Sequence, residues 1–134
     1  SGSLEQMALA EFCKENFNSH VKTLKNKLQK KSEAICNALD KYFGSSAEYK
    51  KPDGGIFVWV DMHKKVDTSR LYELALKDGV AINPGNEWSI NKSGRHKMRL
   101  CFGNPSIKEI DEGIKRLAII CRKEFGIPTK IANL

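Results

Sequence analysis

The stretch that decides the fold is PDGGIFVWV at residues 52–60, a glycine-rich turn followed directly by an apolar run. Isoleucine, valine, phenylalanine and tryptophan favour strands, and the sequence Pro-Asp-Gly-Gly favours a turn. An uninterrupted apolar run is typical of a central strand that is covered on both faces. Residues 56–60 are therefore predicted to form the central strand of a sheet.

Shorter strand patterns lie on both sides of this run. Residues 45–49 suit an edge strand, and residues 80–82 suit a short strand that ends at Asn83-Pro84-Gly85. Residues 98–102, with the sequence MRLCF, suit another strand. Strands this few and this short predict a small sheet of three or four strands, mostly antiparallel.

The first 43 residues predict two helices. Residues 4–16 contain no helix breaker and form the first helix. Asn18 and Ser19 then suggest an N-cap for a lysine-rich helix that ends just before Gly44. Its predicted apolar stripe consists of Val21, Leu24, Leu28, Ile35, Leu39 and Tyr42. The lysines occupy the rest of the circumference, which is typical of a solvated helix.

Two more helices are predicted in the second half of the chain. Asp67 or Thr68 caps a helix that stops at residues 78–79. Ser106 and Glu109 form a capping box for the last helix. The apolar face of that helix consists of Ile107, Ile110, Ile114, Leu117 and Cys121. The predicted fold class is α+β, with two layers in which helices pack on one face of the sheet and N-terminal helices lead in.

The composition fits one soluble domain, with 40% hydrophobic and 29% charged residues in 134. No apolar run approaches the ~20 residues that span a bilayer, so no membrane partner is expected. The net charge of +7 keeps open a basic α+β RNA-binding module, with residues 55–59 as its aromatic strand. Asp53 opposes that hypothesis, because it stands where a cation would help. A plain interaction or oligomerisation domain is another possibility.

Catalytic and metal-binding motifs are missing from the sequence. The four cysteines (Cys13, Cys36, Cys101 and Cys121) form no C-x-x-C pair. Reduced, mostly buried thiols and a cytoplasmic location are the interpretation we favour, and no zinc site is expected. The three histidines have no nucleophile partner in a known motif and are predicted to be surface residues. No catalytic residue is assigned to this chain.

One charged residue lies inside an apolar strand, and it is Arg99 in the sequence MRLCF. A guanidinium in that setting must reach solvent or find an anion, because burying it alone is prohibitive. Two interpretations follow from the residues. Arg99 either faces water or pairs internally with a carboxylate, or it clamps a ligand carboxylate or phosphate.

Four segments resemble a known family when they are taken together in order. They are PDGGIFVW at residues 52–59, GV at 79–80 with NPG at 83–85, MRLCF at 98–102, and EGIKRL at 112–117. In this order and spacing they resemble the C-terminal small domain of the class I/II, fold-type I aminotransferases, which use pyridoxal phosphate. The 2-aminoadipate and aromatic aminotransferase branch is the nearest likeness. The resemblance covers about residues 4–128.

The resemblance implies a set of substrate-binding residues. The family's arginine at this strand position binds the α-carboxylate of the substrate, and the matching residue is Arg99. The aromatic residue after the glycine pair lines the substrate pocket, which corresponds to Phe57, with Gly55 and Ile56 beside it. Trp88 matches a position that is usually aromatic, and we expect it to pack the two domains together.

The resemblance also implies a domain organisation. It makes residues 4–16 a lead-in helix toward a large domain and residues 17–128 the small domain. The sequence itself indicates a cloning remnant at residues 1–3 and a loose tail at residues 129–134. No Ser-Lys dipeptide occurs, and the only Thr-Lys, at residues 129–130, lies in the tail. The cofactor lysine of the family is therefore not matched. The sequence also lacks a match to the aspartate that pairs the pyridine nitrogen and to the phosphate loop.

The expected function is that of a piece of an enzyme. The full-length protein would transfer an amino group from an amino acid to a 2-oxo acid with pyridoxal phosphate, and it would be a homodimer. The chain alone is expected to be inactive, to hold no cofactor and to need the missing N-terminal large domain. A nucleic-acid partner is not expected. A near alternative is the effector domain of an aminotransferase-like transcription regulator.

Overall fold

A computed structural model of the protein describes residues 3–85 and 94–131, with the backbone alone for residues 3–17. The elements are α1 (Ser3–Tyr42), a 3-10 turn (Gly44–Ser46), β1 (Ala47–Tyr49), β2 (Phe57–Met62), α2 (Thr68–Lys77), β3 (Asn83–Pro84), β4 (Lys97–Cys101) and α3 (Ile107–Phe125). The strands form one antiparallel sheet in the order β1-β2-β4-β3. The predicted α+β class and small antiparallel sheet are confirmed.

The hydrophobic core lies between one face of the sheet and the helices. Alternate side chains of the two middle strands point into it, namely Val58, Val60 and Met62 of β2 and Met98 and Leu100 of β4. From the other side, Leu39 of α1 and Ile114 and Leu117 of α3 are almost completely buried. Strand alternation sends the neighbouring side chains to the opposite face of the sheet.

Both predicted helix starts in the second half are confirmed. The carboxylate of Asp67 accepts a hydrogen bond from the backbone N–H of Ser69 at 3.1 Å, which caps α2. At the start of α3, the Glu109 N–H donates to the Ser106 hydroxyl at 3.1 Å. The Ser106 N–H donates to the Glu109 carboxylate at 3.0 Å, which completes the capping box. These contacts satisfy N–H groups that have no partner inside a helix.

The predicted break between two N-terminal helices is wrong, because α1 is continuous from Ser3 to Tyr42. Residues 3–43 contain neither proline nor glycine, so nothing in the backbone interrupts the helix. A capping serine needs a non-helical backbone. Ser19 instead lies in the helix interior, where its carbonyl accepts a hydrogen bond from the Thr23 hydroxyl at 3.0 Å. At 1.5 Å per residue, α1 is roughly 60 Å long.

The predicted apolar stripe of α1 contacts the core only in its second half. Ile35, Leu39 and Tyr42 are buried, whereas Val21 and Leu28 are half-buried and Leu24 is 48% exposed. The helix is longer than the body on which it packs. The described stripe residues before Ser32 are therefore only partly covered by the sheet and α3.

The third strand differs from the prediction. Residues 80–82 are not a strand, and the ladder is formed by Asn83 and Pro84, which pair with Arg99 and Met98 of β4. The Val80 N–H donates to the carbonyl of Ala75 at 2.9 Å, so this residue completes the end of α2. Proline is tolerated at the sheet edge, where its missing N–H leaves no ladder bond unmade.

The central strand is where the sequence places it, but one of its faces is not covered by the described chain. β2 lies between β1 and β4, and the 3-10 turn and β1 occupy the predicted edge-strand region. Trp59 is 52% exposed and Asp61 is exposed, although the alternate residues are buried. The expected cover on both faces is therefore not found among the described residues, whose helices pack on one side of the sheet.

The predicted loose tail is attached to the body as far as residue 131. The Lys130 N–H donates to the carbonyl of Tyr42 at 2.9 Å, and a guanidinium nitrogen of Arg122 donates to the carbonyl of Ile131 at 2.7 Å. Residues 132–134 lie outside the described residues.

Among the described residues, none of the helices combines the length and the apolarity needed to cross a bilayer.

Candidate functional site

Arg99 lies at the centre of the uncovered sheet face. It pairs in register with Trp59 of β2 on one side and with Asn83 of β3 on the other. Its chain neighbours Met98 and Leu100 point into the core, so alternation directs the Arg99 side chain to the opposite face. The backbone of Arg99 is thus held in place by strand pairing on both sides.

Two aromatic rings hold the guanidinium. Its central carbon lies 4.1 Å from the centroid of the Phe57 ring and 5.5 Å from that of the Trp59 ring. Phe57 is two residues from the register partner of Arg99 on the same face, a diagonal distance that aromatic side chains reach. Both contacts are cation–π interactions, each worth about 0.5–2 kcal/mol depending on desolvation. They hold the guanidinium against the sheet face.

The guanidinium retains an unsatisfied donor. Its Nε is buried and has no hydrogen-bond partner among the described residues. Asp61 lies on the same face, but its carboxylate is 3.0 Å from Nε2 of His96. An internal carboxylate partner for Arg99, one of the two interpretations open from the sequence, is not found among the side chains described at residues 18–85 and 94–131. A buried charged donor without a partner is costly, which favours an anion at this position.

The other predicted site residues lie at the start of β2. Gly55 has φ +75° and lines a cleft on the α1 side, whereas Ile56 accepts a backbone hydrogen bond from Phe102 at 2.8 Å. The structure therefore brings Phe57 into contact with Arg99. Gly55 and Ile56 precede Phe57 in the chain, and their own contacts are with other residues. Trp88 lies outside the described residues.

Two residues of this face were not singled out from the sequence. Trp59 contacts the guanidinium directly, and Asn83 is its register partner on β3. The signal for Trp59 was present, because it follows Phe57 by two positions and shares its face in any strand. Asn83 could not be found in this way, since its pairing depends on a register between distant segments.

The described thiols and histidines form no second functional centre. Cys36 and Cys121 are free and buried, as predicted, and Cys101 is free and half-buried. Burial raises the pKa of the Cys36 thiol and raises that of Cys121 to about 12. The side chain of Cys13 lies outside the described residues. Within the described part of the chain, no three His, Cys, Asp or Glu side chains are grouped so that they could hold a metal ion.

Comparison with known proteins gives this geometry a family. The family model for class I and II aminotransferases matches residues 1–117. The chain belongs to the class I and II aminotransferase family. This confirms the resemblance that the four sequence segments indicated.

Individual relatives agree with the family match. A 2-aminoadipate transaminase of Thermus thermophilus is 32% identical over 114 residues, which cover 85% of this chain and 29% of that protein. The crystal structure of the α-aminoadipate aminotransferase LysN from the same species superposes with a TM-score of 0.75 at 30% identity, over 90% of this chain and 31% of the other. An HTH-type transcriptional regulator of Bacillus subtilis, YisV, is 31% identical over 92% of this chain and 25% of its own length. The chain thus spans less than a third of each of these relatives.

The described site does not by itself fit pyridoxal phosphate, the cofactor that the family implies. A ring with a phosphate and a pyridine nitrogen needs several convergent donors and an enclosing cavity. On this sheet face, the described side chains offer one buried donor without a partner, Nε of Arg99, between two rings. That donor set suits one carboxylate.

Proposed function

We propose that this chain is the substrate-binding small domain of a pyridoxal-phosphate-dependent aminotransferase, and that Arg99 binds the α-carboxylate of the amino acid or 2-oxo acid. The observation that carries the proposal is the Arg99 guanidinium, whose buried Nε has no hydrogen-bond partner among the described residues. It contacts the rings of Phe57 and Trp59 on the sheet face that the described chain leaves uncovered. The family match supports the class of substrate.

The geometry suits carboxylate binding for three reasons. The planar guanidinium offers parallel donors that match the two oxygens of a carboxylate. The rings of Phe57 and Trp59 restrict its rotation, so less entropy is lost when the substrate binds. A large domain on this face would displace water from it. The ion pair would then be stronger, because Coulomb interactions grow as the effective dielectric constant falls. Arg99 thereby orients the reacting end of the substrate.

We further propose that the cofactor is bound by a part of the complete protein outside this chain. The chain spans 29% of the 2-aminoadipate transaminase it matches, and it carries no Ser-Lys pair of the kind the family uses. A large domain seated on the face of Arg99 would cover Trp59 and complete the pocket. Residues 4–16 would lead toward that domain, and the complete protein would be a homodimer. Catalysis then needs both domains.

The second candidate function is ligand sensing in a transcription regulator. The relative YisV is named as such a regulator and matches 92% of this chain. In that case Arg99 would bind the carboxylate of an effector, and the complete protein would bind DNA. The family match favours both of these candidates over an RNA-binding module or a plain oligomerisation domain.

An absorbance experiment tests the division of labour between this chain and the rest of the protein. The isolated chain is mixed with pyridoxal phosphate, dialysed and scanned, and the complete protein is treated in parallel. We expect no stoichiometric band of bound cofactor and no transamination from the isolated chain, and both from the complete protein. A stoichiometric band with turnover by the chain alone would contradict the proposal. Cofactor binding without turnover by the complete protein, together with DNA binding, would favour the regulator.

A further inference from the structure

A cavity lies on the α1 side of the sheet, away from the face to which Arg99 points. It is a cleft of about 720 Å³ between α1 and the turn before β2. Its lining includes Lys25, Leu28 and Ser32 of α1, Lys51 and Gly55 of the turn, and Phe102 after β4. This volume is within the range of small-molecule sites, which is about 300–1,000 Å³.

A buried hydroxyl in the cleft has no partner. Ser32 is 7% exposed, and its Oγ makes no hydrogen bond with any described residue. A serine in a helix usually donates back to a carbonyl one turn earlier, as Thr23 does to Ser19. A buried hydroxyl that lacks this bond destabilises the fold, and a ligand oxygen in the cleft would provide the missing partner.

The charge and polarity of the lining indicate the kind of ligand. Lys25 and Lys51 are exposed at the cleft, where Asp53 supplies the one carboxylate, so cations are in excess. Neither lysine is in an ion pair within the described part of the chain. Leu28 is half-buried and Phe102 is almost completely buried, which gives the cleft an apolar wall.

We propose that this cleft binds a small organic anion that has an apolar body and one carboxylate or phosphate group. Lys25 and Lys51 would bind the anionic group, Ser32 would bond to one of its oxygens, and the apolar body would lie on Leu28 and Phe102. The site is separate from Arg99, which does not line the cleft and points away from the core side of the sheet. The proposal stands on the cleft and does not depend on the aminotransferase function.

Nuclear magnetic resonance of the chain tests this proposal with simple probes. Benzoate and phenyl phosphate are titrated separately against the labelled chain, and benzamide serves as the neutral match. We expect the amide signals of Ser32, Gly54 and Gly55 to move saturably with an anion. A charge-assisted contact should make binding at least about tenfold tighter than for benzamide. Whichever anion binds more tightly identifies the class, carboxylate or phosphate.

Four variants assign the effect to the cleft. Lys51→Gln should weaken binding about tenfold, whereas Lys27→Gln, at an exposed position of α1 that does not line the cleft, should not. Arg99→Ala should leave the cleft signals and their affinity unchanged. Ser32→Ala should weaken binding, and if it fails to fold, Lys51→Gln still decides. Absence of shifts at millimolar anion, equal binding of benzamide, or loss of binding in Arg99→Ala would each overturn the proposal.

Discussion

Arg99 shows how far a single residue can be interpreted from sequence. A cation flanked by Met98 and Leu100 is unusual enough to mark it, and period-two alternation predicts that it leaves the core. The sequence left open whether a carboxylate of the chain would neutralise it, because that depends on which strands become neighbours. The structure places two rings beside it instead of a carboxylate.

The turn before β2 gives a prediction at the residue scale. Gly55 has φ +75°, whereas Gly54 does not have a positive φ, and an added Cβ at either position meets no atom within 4 Å. Alanine at Gly55 must adopt a left-handed backbone, which costs about 1 kcal/mol. Gly55→Ala should therefore unfold at lower urea concentration than Gly54→Ala by about that free energy. Comparing the two removes the entropy change of the unfolded chain, which they share.

Equal midpoints for the two alanine variants would contradict the assigned turn geometry. A loss confined to Gly55→Ala would instead support a structural reason for the glycine pair, independent of any contact with substrate.

At the scale of elements, local signals were reliable and long-range ones were not. The capping box of α3 and the Asp67 cap of α2 are encoded within four residues, and both were predicted. The position of β3 was misplaced, because its pairing with Arg99 depends on the register between segments far apart in sequence. The continuity of α1 differs from the prediction because residues such as Asn18 and Ser19 also occur inside helices, and no proline or glycine supports a break.

The buried face of α3 predicts sensitivity to alkali. Burial raises the pKa of Cys121 to about 12, whereas the pKa of a cysteine thiol in an unfolded chain is about 8.5. The unfolded state therefore loses its proton first, and the stabilising contribution present below about pH 8.5 is lost as the pH rises toward 12. The free energy of unfolding should fall by about 1.4 kcal/mol per pH unit from this thiol alone.

Urea unfolding of the wild type and of Cys121→Ala measures that contribution. The variant should be less stable at neutral pH, because it leaves a small cavity, but its stability should decline less steeply between about pH 9 and 10.5. Tyr42 also has a raised pKa, from burial and its hydrogen bond to Asp111, so part of the decline should remain. Identical slopes for the two proteins would show that Cys121 is accessible to base.

At the scale of the whole molecule, the two layers leave one sheet face uncovered by the described chain. The apolar run of β2 predicted cover on both faces, and Trp59 remains 52% exposed. That mismatch is informative, since a strand apolar on both faces is expected where both are buried. The order of the four motifs predicted the family, and the hydrophobic periodicity predicted the two-layer fold, because both can be observed directly in the sequence. What covers the second face could not be predicted, because no motif or period in residues 56–60 specifies the segment that packs on it.

The most direct test of the central claim is the steady-state kinetics of the complete protein that contains this chain, with Arg99→Ala and Arg99→Lys. Truncating one partner of a buried charge pair costs about 2–5 kcal/mol, so Arg99→Ala should lower kcat/KM for the amino acid at least about thirtyfold. Arg99→Lys should recover only part of it, because a point charge cannot replace the planar fork. Thermal stability should change little. Unchanged kcat/KM in a folded Arg99→Ala protein would contradict the claim. A loss of kcat/KM that only follows the unfolding of the small domain would also contradict it, because Arg99 would then serve the fold and not the substrate.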